Sequence, residues 1–201
     1  MLFEKSQYNV FQVTADGFIH KGSSYRFDEI TNLFFSRVMT TQRMNFLKVG
    51  EAESAYLHIT LSSGKKIKLS FDESGLFMGL NFNKQKDIKN LIDLYVFLAE
   101  KTFSNRVQPY LRQMNERGYF EYDECRFYPG DKIVFRNKEF PIRSSQFLKG
   151  YGYIEMRPKD YGLVNKIMRE ISLTKLPQCN TQTDSDVIFY LLEKYFGLKW
   201  S

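Results

Sequence analysis

Apolar and polar residues alternate most clearly between residues 57 and 71. Leu57, Ile59 and Leu61 alternate with His58 and Thr60, and Ser62-Ser63-Gly64-Lys65 turns the chain. Ile67, Leu69 and Phe71 then alternate with Lys66, Lys68 and Ser70. Successive side chains of a strand point to opposite faces, so this pattern predicts a half-buried hairpin. Gly64 supplies the positive φ that its short loop needs. Earlier in the chain, residues 10–13, 18–21 and 25–30 read as strands, separated by turns at Asp16-Gly17 and Gly22-Ser23-Ser24. Tyr25, Phe27 and Ile30 are expected on the buried side.

The period then changes. Ile88, Leu91, Ile92, Tyr95 and Ala99 recur at helical spacing after Asp87, a candidate N-cap, and the pattern resumes at Tyr110, Leu111 and Met114 before Gly118. This predicts an amphipathic helix stopped by glycine. Pro109 lacks an N–H and crowds the preceding turn, so a break or bend is expected over residues 104–109.

After Gly118 the strand signal returns. Residues 119–128 alternate loosely, Pro129-Gly130 turns, and residues 132–136 form a short strand with Ile133 and Phe135 on one face. Further strands are expected at 140–142, 151–157 and 166–173, although Arg169 falls on the apolar side of the last. Thr183-Asp184-Ser185-Asp186 reads as a cap for a closing helix from Val187 to Phe196, with Gly197 behind it.

Strands, helix, strands, helix is the order of antiparallel α+β units rather than of alternating βαβ. The boundary is expected at Gly118, giving residues 1–118 and a smaller second domain, 119–201. A faint repeat agrees with two units. Ile19, Tyr25 and Phe27 match Ile133, Phe140 and Ile142, and Asp87-Ile88 with Leu91-Ile92 matches Asp186-Val187 with Tyr190-Leu191.

Composition sharpens this picture. With 43% hydrophobic residues, 19 Phe and 13 Tyr, the 201-residue chain can fill ordinary cores. No apolar run approaches a membrane span, and the start lacks the features of a signal peptide, so the cytoplasm is the expected compartment. Cys125 and Cys179 are the only cysteines. Two are too few for a disulfide framework, and reduced, packed thiols are expected. The net charge of +6 is spread along the chain, with 16 Lys+Arg against 12 Asp+Glu in 1–118 and 13 against 11 in 119–201. No block reads as a nucleic-acid arm.

The segment Asp16-Gly-Phe-Ile-His-Lys-Gly-Ser-Ser-Tyr-Arg-Phe-Asp-Glu-Ile30 resembles the opening strands of bacterial pleckstrin-homology-like (PH-like) domains. The strand pair over 131–142 and the Asp-x-Asp entry at Asp184 are similar to the companion unit of tandem PH-like families. The resemblance implies two α+β units, each a bent antiparallel sheet closed by a C-terminal helix. It implies fold more than function.

Candidate chemistry is sparse. Lys132, Arg136 and Lys138 come nearest to the cations that hold phosphoinositides in some PH domains, but Glu139 adjoins them and two of them fall at a turn. Lys65, Lys66 and Lys68 with Lys84, Lys86 and Lys89 form the densest basic region, which suits an anionic partner if the hairpin tip and helix start adjoin. Asp72, Glu73 and Asp87 dilute it. His20 and His58 have no metal-ligand spacing, and helix capping accounts for Asp184 and Asp186. No nucleophile motif, phosphate loop or zinc motif occurs.

The expectation is therefore a non-catalytic binding or scaffolding module without a cofactor. Its expected partner is another protein or a second copy of the chain, engaged through a sheet edge or the groove beside a helix. Peripheral binding of anionic membrane lipid or nucleic acid at the lysines is the alternative. Nucleic acid and a small-molecule substrate have no signature.

Overall fold

The computed structural model describes residues 11–44, 47–72, 82–150, 152–160, 177–198 and 200. They form α and β structure together, in four small antiparallel sheets and two helices. The chain divides into two compact units, 1–106 and 107–201. The division lies inside the first helix, which Gly118, the boundary expected from sequence, closes.

Unit 1 begins with the meander β1 (Phe11–Val13), β2 (Gly17–His20) and β3 (Ser23–Arg26). The strand expected over 25–30 stops at Arg26, and Phe27–Glu29 forms a single 3-10 turn. The cause is local, because the Glu29 carboxylate accepts the Arg26 N–H at 2.6 Å and offers the backbone an alternative to a ladder. Phe27 and Ile30 are still buried in the core and Tyr25 packs against it, so the three share the buried side as expected.

Two long strands follow, β4 (Ile30–Met44) and β5 (Leu47–Leu61), and then β6 (Lys66–Asp72). The 57–71 hairpin is the one read from sequence, with Leu57 opposite Leu69, Ile59 opposite Ile67 and Gly64 at φ 80°. On the other side of β5, Leu33 faces Ile59 and Phe35 faces Leu57. Leu33, Ala55, Leu57, Ile59, Leu61, Ile67 and Leu69 are buried with Ile88, Leu91, Leu94 and Leu98 of the helix. Fully burying a Leu or Ile contributes about 1.5–3 kcal/mol.

That helix, α1, spans Phe82–Arg117 as one element. It starts before Asp87, which is therefore inside the helix and not its cap, and it carries on through 104–109 with Pro109 in its interior. A mid-helix proline costs about 3 kcal/mol. Val107 and Tyr110, buried on either side of it, offset that cost by anchoring both flanking turns.

Unit 2 holds a four-stranded meander, β7 (Phe120–Tyr122), β8 (Cys125–Tyr128), β9 (Lys132–Phe135) and β10 (Lys138–Pro141). A three-stranded meander follows, β11 (Ser145–Gly150), β12 (Tyr153–Pro158) and β13 (Gln178–Asn180). The single strand expected over 119–128 is thus a hairpin, turned at Asp123 with φ 52°. The strand expected at 166–173, with Arg169, lies outside the described residues.

The closing helix α2 spans Ser185–Phe196, with Gly197 in the left-handed conformation behind it. Asp184 stands at the N-cap position, but it is buried and makes no side-chain capping hydrogen bond. Its left-handed backbone (φ 48°) does not give the extended geometry in which a cap side chain folds back onto the first turn. Asp186 lies in the first turn, where an anion favours the helix dipole. Phe196 meets Phe120 and Phe127 edge-on at 6.1 and 6.2 Å, and those two rings stack at 4.6 Å. This aromatic trio ties α2 to the β7–β10 sheet.

Two glycines of unit 1 separate backbone freedom from backbone clearance. A Cβ on Gly64 meets open space, so Gly64→Ala pays only for its positive φ, about 1 kcal/mol. A Cβ on Gly17 would lie 1.9 Å from the Tyr25 carbonyl oxygen on β3. In urea unfolding, Gly17→Ala is expected to destabilise by at least twice as much as Gly64→Ala, within the roughly 1–3 kcal/mol typical of overpacking.

Candidate functional site

The alternation that buries one side of β4, β5 and β6 sets a second row on their other side. Asn32, Phe34, Ser36 and Val38 from β4 share that face with Ser54, Tyr56, His58 and Thr60 from β5, and with Lys66, Lys68 and Ser70 from β6. His58 is central. Phe34 stands opposite it on one side and Lys68 on the other, and the Phe34 and His58 rings stack at 5.0 Å and 20°. Lys66, opposite Thr60, and Lys68 are exposed, and neither has a carboxylate partner among the described residues. Of the lysines predicted as a patch, these two lie side by side on one face.

The rest of that patch is distributed differently. Lys65, in the turn before β6, donates a hydrogen bond to the Tyr25 hydroxyl and sits 4.8 Å from the centre of its ring. The bond from Lys65, and a second with Ser23, hold the Tyr25 phenol below its ordinary value. The side chains of Lys84 and Lys86 lie outside the described residues, while Lys89 is exposed on α1.

In unit 2 the second set of cations is largely neutralised. Lys132 bonds Glu139 at 2.8 Å, and Arg136 grips the Glu124 carboxylate with two bonds of 2.9 and 3.2 Å. Each acid raises the affinity of its partner cation for the proton. Lys138 is exposed beside them. Such surface pairs contribute little to stability, but they cancel the local charge that would attract an anion.

Two features were not found from sequence. One is the aromatic content of the outer face, Phe34 and Tyr56, which becomes visible only once β4 is placed in register with β5. The other is the far part of the β4–β5 pair. Pairing with β6 reaches only Ser54, whereas β4 and β5 remain paired from Val38 and Ser54 out to Met44 and Leu47. There Val38 and Met39 are 46% and 62% exposed, and the edge of β4 has no partner strand among the described residues. Arg37 and Glu53 form an ion pair where the buried row runs out.

Among the described residues, no helix is long and apolar enough to cross a membrane, and no three His, Cys, Asp or Glu side chains gather as a metal site.

Partial burial lowers the pKa of His58, and the charges of Lys68 and Lys66 lower it further. The unfolded chain therefore binds this proton more readily, and stability falls as pH drops from about 6.5 towards the folded value. NMR titration should place the His58 midpoint below the ordinary 6.5. In Lys66→Gln/Lys68→Gln the midpoint should rise, and in His58→Gln the pH slope of stability in that window should shrink. Comparison with protein-family models, with curated proteins and with solved structures found no match for this chain.

Proposed function

We propose that this chain is a non-catalytic binding module built from two PH-like units, and that it works through the open edge of β4. The observation that carries the reading is the coincidence of that edge with two adjacent, exposed apolar residues, Val38 and Met39. An unpaired strand edge presents a row of N–H and C=O groups that another strand can satisfy. Apolar side chains beside it add a contact that excludes water from those bonds. The PH-like reading is supported by the order of elements, a pair of meanders followed by a helix in each half.

The partner is a second copy of the chain, or a protein that presents an extended strand. Contact through backbone bonds and apolar side chains resists salt, because screening acts on exposed charges. Light scattering after size exclusion should find an oligomer of the same mass at low and high salt. Val38→Lys/Met39→Lys should convert it to monomer with little change in melting temperature, since lysines on an edge discourage strand addition. A wild-type chain that is monomeric throughout would remove self-association from this reading.

A second reading is favoured by the stacked Phe34–His58 pair lying beside Lys66 and Lys68. Flat rings flanked by cations on a sheet face suit an anionic ligand with planar groups, such as a single-stranded nucleic acid. Binding of a labelled oligothymidylate should then weaken steeply with salt and be lost in Lys66→Glu/Lys68→Glu. Binding of anionic vesicles but not of the oligonucleotide would assign the same lysines to a membrane surface.

A further inference from the structure

The only two cysteines of the chain lie far apart in sequence, on β8 and on β13. Both are buried in unit 2, and both stand against Tyr122 of the β7–β8 hairpin. Their strands belong to different sheets, so no ladder bond forces this meeting. Several contacts hold it in place. Cys125 is directly opposite Tyr122 in the β7–β8 hairpin, and the Cys179 sulfur lies 3.9 Å from the Tyr122 carbonyl oxygen. The Asn180 N–H donates to the Asp123 carboxylate at 3.0 Å, and the Tyr122 hydroxyl donates to the Thr183 carbonyl. The hairpin is thus tied to the end of β13 and to the segment that follows it.

We propose that Cys125 and Cys179 are a redox modification site, closing into an intramolecular disulfide that joins the two sheets of unit 2 when the chain meets a small disulfide oxidant. These contacts already hold the strands together, so closure needs only local movement of the two sulfurs to a bonded separation of about 2 Å. In the reaction one thiolate opens the S–S bond of the oxidant and forms a mixed disulfide, releasing one small thiol. The second cysteine then attacks the protein sulfur and releases the other. Two cysteine thiols lose two protons and two electrons, and the oxidant gains them as two thiols.

Burial sets the rate of this step. The hydrogen bond with Cys125, followed by burial, pushes the Cys179 thiol well above its ordinary range, and thiolate is the reactive form. The closed unit therefore reacts slowly, and opening of the β7–β8 hairpin admits the oxidant. The sequence expectation of reduced, packed thiols describes the same site before oxidation.

The test incubates the reduced wild-type chain with oxidised glutathione across a series of urea concentrations below unfolding. Residual thiols are then alkylated and the peptides mapped by mass under non-reducing conditions. The expected product is a Cys125–Cys179 linked peptide whose yield rises with urea. The purified oxidised chain should melt roughly 5–15 °C higher than the reduced one, and reductant should reverse the shift. Cys125→Ala and Cys179→Ala should each abolish the linked peptide and the shift. Glutathione adducts or intermolecular dimers without the linked peptide would overturn the proposal. So would thiols that remain fully alkylatable at every urea concentration.

Discussion

The register of β5 is the constraint on which unit 1 depends. This strand is paired on both sides, and Ala55, Leu57, Ile59 and Leu61 all turn into the core. A slip of one residue would move that row to the outer face and bring Tyr56, His58 and Thr60 inside. Burying an imidazole and a phenol without partners is costly, so the sequence specifies one register strongly. The same constraint fixes the outer face, because Phe34, His58 and Lys68 meet only in the register that buries Leu57 and Ile59. Core and candidate surface are two sides of one decision.

Unit 2 solves the same problem with short strands. Each of its hairpins buries only a few side chains, and large rings supply the area that strand length does not. Phe120, Phe127 and Phe196 form a contact set spanning β7, β8 and α2. Aromatic pairs of this kind contribute about 0.5–1.5 kcal/mol beyond the area they bury. The hairpin tips are then free to carry charge, and they pair it internally through Lys132–Glu139 and Arg136–Glu124.

Legibility from sequence followed how much each signal depended on distant residues. The 57–71 hairpin was readable because alternation and a loop glycine agreed within fifteen positions. The closing helix was readable from its apolar run and Gly197. The outward extension of β4 and β5 was not, since a strand pair with no third neighbour among the described residues need not alternate. Proline at 109 gave a correct local cost but no break, since α1 runs through it with Val107 and Tyr110 buried on either side. The β7–β8 turn was missed because Asp123, not glycine, takes the left-handed conformation there. Lysines 66 and 68 were visible as one side of an alternating strand. Neither the aromatic rings beside them, the carboxylates that neutralise Lys132 and Arg136, nor the meeting of the two cysteines leaves any mark in local spacing.

The unequal reach of β6 along β5 divides one strand into parts under different selection. Where β5 has neighbours on both sides, a substitution must satisfy a core row and two ladders. Between Ser54 and Leu47 its one partner among the described strands is β4. A substitution there meets one described ladder rather than two, so related chains could diverge in what this strand pair recognises while keeping the same fold. Among the described residues, the stretch of β5 with a strand on one side only is the stretch left open to a new partner.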